Sequence, residues 1–363
     1  GQNDKSRKNI AAEAKKIEQK VIEWRRDIHA HPELGNREVR TAALVANHLN
    51  SLGMEVTTGV GVTGVVGILK GGKPGPVIAL RADMDGLPVL ERTAVPFASK
   101  ELRNYNGIET PVMHACGHDS HVAILMGVAE ILSDMQKDLK GTVKFIFQPA
   151  EEGAPKGEEG GAELMVKEGV LQNPKVDVIF GLHINSKLEA GKISYRPGGM
   201  FAAVGDMKIT VKGISSHGAE PWSSVDPVLT AAQIVYSLQT ILSRNINVTE
   251  NGAVVTIGAI HGGNRSNIIP EQVEMLGTVR TLSAGDEALI YERIRQIATH
   301  TAAANGAEAI VELPYSSHYP ITINDPALTA QMIPSLKKSA GDGNVLLIPA
   351  ETGAEDFSFF ANE

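Results

Sequence analysis

The segment HACGHDSH, His114 to His121, gathers three histidines, an aspartate and the single cysteine of a 363-residue chain. Thiolate and imidazole are good ligands for Zn²⁺ and similar first-row divalent ions, and Gly117 lets the chain turn tightly enough for Cys116 and His118 to face one ion. Three other segments place groups of the same kind directly after apolar, β-branched runs. IALRADMD ends on Asp83 and Asp85, FIFQPAEE on Glu151 and Glu152, and VIFGLH on His183. In open α/β sheets the carboxyl ends of the strands converge on one crevice, so the four segments are expected to meet there. A mixed sulfur, nitrogen and oxygen donor set suits Zn²⁺ or a similar ion better than Mg²⁺ or Ca²⁺, which prefer oxygen shells.

Each residue also has a plainer reading. A lone cysteine is commonly a small buried apolar group, paired glutamates are commonly a solvated turn, and Asp83 and Asp85 can cap the GLP turn that follows them. Solvation explains QPAEEG poorly, because it continues an apolar strand. His29, His31, His48, His261 and His300 carry no chemical assignment, and at least one of His114 and His121 is expected to support the site without ligating. Two other functions compete. Cys116 could be a nucleophile with His118 or His121 as its base, or the scaffold could bind metal or carboxylate without catalysis.

The elements that must position these groups follow from periodicity. Residues 8–30 space Ile10, Ala14, Ile17, Val21 and Trp24 as an amphipathic helix that Pro32 and Gly35 end. TAALVANHLNSLG predicts a second helix, and HVAILMGVAEILSDMQ a third, capped by Asp119 or Ser120. Interleaved with apolar strands, they predict an α/β domain on a largely parallel, buried sheet. From YRPGGMFAAVG the order becomes strand, helix, strand, strand, helix, strand, that of a ferredoxin-like α+β sandwich. The first character resumes after YPITINDP. The expected division is therefore 1–197 with 315–363 as one domain, and 198–314 inserted into it.

Composition removes several classes of partner. Lys and Arg number 34 against 42 Asp and Glu, a net charge of -8, which argues against nucleic acid. No run approaches the ~18 apolar residues of a membrane span. One cysteine forms no intrachain disulfide, so cysteine usage leaves the compartment open between cytoplasmic and exported. The polar start GQNDKSRKN, without Met, is expected of an expression remnant, a processed start or a chain freed of a signal peptide.

Eight segments carry a resemblance: RRDIHAHPELGNRE, LRADMDGLPV, MHACGHDSH, FQPAEEGAPKGEEGGAELM, GLHI, GISSHGAEPWSSVDPV, GGNRSNIIPEQVEMLGTVRT and ETGAEDFSFF. In this order they closely resemble the M20 metallopeptidase family, and within it the amidohydrolases of N-acyl amino acids: hippurate hydrolases, indole-3-acetyl-amino-acid hydrolases and aminoacylase-like enzymes. The resemblance implies a zinc-peptidase-like domain holding two divalent ions (Zn, Mn, Ni or Co) and an inserted lid or dimerisation domain through which two copies can pair. It also implies an N-acyl amino acid or small peptide as substrate. Cys116, His118, Glu152 and His183 match the family's metal ligands, Glu151 its general base, and Asp85 the aspartate standing behind the ligands. His217 matches a lid histidine that stabilises the oxyanion, and Asn267 and Arg280 match lid residues that hold the substrate carboxylate. Asp83 stands where many relatives carry a histidine ligand. The family continues past EDFSFF to a further ligand histidine, so the set carried by residues 1–363 is expected to be one ligand short. The segment KELRNYNGIETPV resembles a loop elaboration at the rim of the site.

The metal reading predicts that thorough chelation abolishes amide hydrolysis and that a divalent ion restores it. Activity that survives chelation and is lost to a thiol alkylator would instead make Cys116 the nucleophile.

Overall fold

The computed structural model describes residues 2–316 and 318–363, with side chains from Ile10 onward. By internal contacts the chain forms two units, one up to Lys187 and one spanning Leu188–Asn362.

The first unit opens with helix α1 (Gln2–Ala30), followed by α2 (Val39–Ser51). Strands β1 (Glu55–Val60), β2 (Gly64–Lys70) and β3 (Lys73–Asp83) come next. An exposed hairpin, β4 (Leu102–Tyr105) and β5 (Ile108–Pro111), occupies the elaborated segment and turns through Asn106 and Gly107, both at positive φ. Then follow α3 (His118–Asp134), β6 (Lys140–Gln148), α4 (Gly161–Lys167) and β7 (Val178–Gly181). The sheet order is β1-β2-β6-β3-β7. Since β2 is antiparallel to both neighbours while β3 is parallel to β6 and β7, four of the five strands run one way. This is the mixed α/β sheet that the apolar runs predict.

Period-two alternation divides the side chains of β6 between the two faces of the sheet. Phe145 and Phe147, both fully buried, join Val45, Leu49, Val122 and Met126 in the core beneath the helices. Lys144 points the other way and is also buried. Its ammonium donates to the carbonyls of Val170, Gln172 and Pro174 at 2.8, 2.7 and 3.1 Å, so all three donors are used on the loop after α4.

In the second unit, β8 (Ile193–Tyr195) and β9 (Gly198–Phe201) precede β10 (Ala203–Lys212) and the two-residue β11 (Ser216–His217). Helix α5 (Pro227–Arg244) starts at Asp226, whose carboxylate accepts from the Val228 and Leu229 amides. Next are β12 (Ala253–His261), β13 (Ile268–Ile269), β14 (Gln272–Thr281), α6 (Ala284–Ala304) and β15 (Glu308–Glu312). The antiparallel order β12-β14-β10-β15 with both helices packed on it forms the ferredoxin-like element. Strand β16 (His318–Tyr319) also pairs β10. Beyond it, β17 (Thr322–Asn324) pairs β9 antiparallel, and β18 (Val345–Leu347), after α7 (Pro326–Ala340), pairs β8 in parallel. The two flanks of the ferredoxin-like element are thereby hydrogen-bonded to each other. The contact boundary falls at Lys187 rather than at 197, and residues 315–362 cluster with the second unit, because β17 and β18 pair with strands just after that boundary.

Replacing Lys144 by Met removes the donors and leaves three carbonyls without their partner. Denaturant unfolding should show a loss of about 3 kcal/mol, and an unchanged midpoint would mean that water already serves those carbonyls.

Candidate metal centre

Three neighbouring parallel strands end at one level, since β3 pairs Asp83 with Gln148 of β6 and Arg81 with Gly181 of β7. Their continuations carry Asp85, Glu151 with Glu152, and His183. The fourth contribution is the start of α3. The helix begins at His118 with Gly117 at its cap in the left-handed region, φ 92°. A Cβ on Gly117 would lie 2.3 Å from Ile184 Cγ2, so glycine is required both for the turn and for the close approach of the segment after β7. The expected cap at Asp119 or Ser120 is not formed. Asp119 is buried in the first turn, where its Oδ2 pairs with His29 Nδ1 at 2.8 Å.

The donors surround the His118 imidazole. Cys116, His118 and His183 bring ligand atoms within 4.8 Å of one another, as do His118, Glu151 and Glu152. His118 Nδ1 contacts Asp85 Oδ1 at 3.2 Å. Its Nε2 is buried without a well-formed hydrogen bond, 3.6 Å from Asp83, 3.8 Å from Glu151 and 3.9 Å from Glu152. Burial opposes charge on this ring, but Asp83, Asp85 and the Cys116 sulfur together hold its pKa well above the usual histidine range. His183 is raised to about 9: burial opposes this, and the Cys116 sulfur, 3.4 Å from Nε2, and the Ile184 carbonyl outweigh it. Glu152 is raised by burial and by Asp85. Raised pKa values on two imidazoles and a carboxyl mark a dense negative cluster, whose charge a divalent cation would offset. An orphaned buried nitrogen among carboxylates and a thiol is a donor set that fits Zn²⁺ or a similar ion. The site runs from fully buried His118 to exposed Glu152 and His183, leaving one side open.

Asp85 supports two candidate ligands, because its second oxygen accepts the Glu152 amide at 2.9 Å. Asp83 behaves differently from a ligand. Its oxygens face His121 Nδ1 at 2.6 Å and Arg81 Nη1 at 2.8 Å, and these cations and donors outweigh burial to keep its pKa well below the usual carboxylate range.

One contributor has no sequence signal of its own. Glu38, fully buried, accepts the Ala150 amide at 2.8 Å, and burial with the nearby Asp85 charge raises its pKa to about 8. Ala150 has φ 51°, a left-handed conformation costing a non-glycine residue roughly 1 to 2 kcal/mol. That turn ends the extended run of β6 and presents Glu151 buried and Glu152 exposed.

The remaining sequence candidates lie in the second unit. His217 in β11 pairs with Ile268 of β13, and the Gly218 amide donates to the Asn267 carbonyl at 2.8 Å, which brings His217 and Asn267 together. His217 Nδ1 accepts the Ala219 amide at 3.0 Å. Arg280 is on β14, half-buried, with Nε donating to Thr278 Oγ1 at 3.2 Å.

The model of peptidase family M20/M25/M40 matches residues 79–363. Thermostable carboxypeptidase 2 of Saccharolobus solfataricus is 40% identical over 349 residues, covering 96% of this chain and 84% of that protein. An N-acetylcysteine deacetylase of Bacillus subtilis is 39% identical over 94% of this chain and 85% of its own length. The crystal structure of a dinuclear metal-binding M20 peptidase from Bacillus subtilis superposes with a TM-score of 0.78 at 36% identity, covering 96% of this chain and 86% of that one. On the matched motifs, the sheet and the donor cluster, the chain belongs to peptidase family M20/M25/M40 and is a metal-dependent hydrolase.

Proposed function

We propose that the protein hydrolyses the amide bond of N-acyl amino acids or small peptides, with two divalent ions held by Cys116, His118, Glu152 and His183. The observation that carries this reading is the division between adjacent glutamates. Glu152 is oriented through its own amide by Asp85, whereas Glu151 is buried beside His118. One carboxylate is thus available to ligate and the other to move a proton. Bound divalent ions supply Lewis acidity, lowering the pKa of water and polarising the carbonyl.

Glu151 takes the proton of the attacking water and delivers it to the leaving amine, a role worth roughly 10² to 10⁴ in rate. His217 donates to the developing oxyanion. Arg280 offers a planar fork to the substrate carboxylate, with Asn267 as a neutral partner. Those three roles rest on the resemblance of their motifs. The names of the two relatives support the substrate class, since a carboxypeptidase and an N-acetylcysteine deacetylase both release an amino acid from an amide. A second copy of the chain is proposed to pair through the ferredoxin-like element.

On N-acetyl, N-benzoyl and N-indoleacetyl amino acids, Glu151→Gln should lower kcat by about 10² to 10⁴ while metal content is unchanged. Unchanged turnover would favour a non-catalytic binder. Arg280→Ala should raise KM for these substrates and leave it nearly unaltered for amides lacking the carboxylate; an equal rise for both would remove Arg280 from carboxylate recognition.

A further inference from the structure

His121 lies one helical turn after His118, and with Asp83 the two form a third cluster of potential ligands. That cluster is already closed by hydrogen bonds. His121 Nδ1 meets Asp83 Oδ1 at 2.6 Å, and His121 Nε2 accepts the Ile184 amide at 2.9 Å. A ring that donates from Nδ1 to a carboxylate and accepts at Nε2 is neutral, fixed in one tautomer, and has no lone pair left for an ion. Behind it the chain of bonds continues. Arg81 donates to Asp83 Oδ2 at 2.8 Å and to Gln148 Oε1 at 2.7 Å, so β6, β3 and α3 are tied through His121 to the backbone at residue 184.

That backbone controls His183. The Ile184 carbonyl lies 2.6 Å from His183 Nδ1, which turns Nε2 toward Cys116 Sγ, 3.4 Å away. The His121 ring also packs edge-on against His183, with centroids 4.7 Å apart. The segment needs such a tether: β7 has four residues and hydrogen-bonds only β3 in the sheet, and residues 181–184 are exposed. Left to itself, this stretch would lose ordering entropy each time His183 bound an ion.

We propose that His121 is a positioning residue for the metal centre: it ligates nothing, and by accepting the Ile184 amide it fixes the peptide that aims His183. The inference rests on His183 being a ligand. It assigns a role to one of the two histidines of HACGHDSH, His114 and His121, that the proposed ligand set leaves unused, and it accounts for Asp83 being a buried ion-paired carboxylate rather than a donor to metal.

The test uses the whole chain reconstituted with Co²⁺, with affinity from chelator competition and geometry from the d–d absorption bands. His121→Met and His121→Gln have similar shapes, but only Gln keeps an acceptor for the Ile184 amide. Met should weaken one ion by about 10- to 100-fold and shift the bands, whereas Gln should restore most of both. Wild-type affinity and bands in the Met variant, with His183→Ala losing an ion, would overturn the proposal. So would a Gln variant that loses an ion as completely as His183→Ala, since His121 would then be a ligand itself. If His183→Ala binds both ions as the wild type does, the ligand reading fails and this inference with it. Hydrogen exchange at the Ile184 amide of the unmodified protein is independent of whether any variant folds: slow exchange is expected, and an unprotected amide would overturn the tether.

Discussion

The Asp85 carboxylate is the contact on which the site turns. One oxygen holds His118 Nδ1 and the other accepts the Glu152 amide, so a single buried group orients a candidate ligand from the helix and another from the strand end. With Nδ1 engaged, His118 offers only Nε2, and that atom lies among carboxylates beside a thiol. The Cys116–His118–His183 and His118–Glu151–Glu152 clusters share this imidazole, so they describe one candidate centre. A carboxylate behind a ligating histidine also raises the basicity of the ring and fixes its orientation before the ion arrives.

Local strain serves the same end. Ala150 in a left-handed conformation and Gly117 at φ 92° are the turns by which a strand and a helix present their side chains to the crevice. Neither turn would be retained without local bonds to hold it, and Glu38 on the Ala150 amide is one of them. Burying Glu38 near Asp85 is itself unfavourable to its ionised form, which its raised pKa registers. Folding therefore gathers acidic groups that repel one another, and bound cations would relieve that repulsion.

The α/β sheet, the ferredoxin-like element and the four segments that meet at the site were legible because each rests on local rules: alternation, helical period and the convergence of strand ends. What stayed hidden depends on partners distant in sequence. Asp119 has the composition of a cap, but His29 from α1 claims its carboxylate, and the helix starts earlier at Gly117. Asp83 and Asp85 look alike two residues apart, yet Asp83 ends β3 beside the Arg81 guanidinium and His121, whereas Asp85 lies past the strand against His118 and the Glu152 amide. Lys144 reads as a charge interrupting an apolar strand, and nothing local reveals the three carbonyls that receive it. The contact boundary near residue 188 is likewise not local, because it depends on β8 and β9 pairing with β18 and β17, strands distant in sequence.

The lone cysteine is proposed to belong to a metal centre with His118, Glu152 and His183. X-ray absorption at the zinc edge of the reconstituted protein tests it most directly. A sulfur shell at about 2.3 Å is expected beside nitrogen and oxygen at about 2.0 to 2.2 Å, with the sulfur lost in Cys116→Ser. A shell of nitrogen and oxygen alone in the unmodified protein would contradict it.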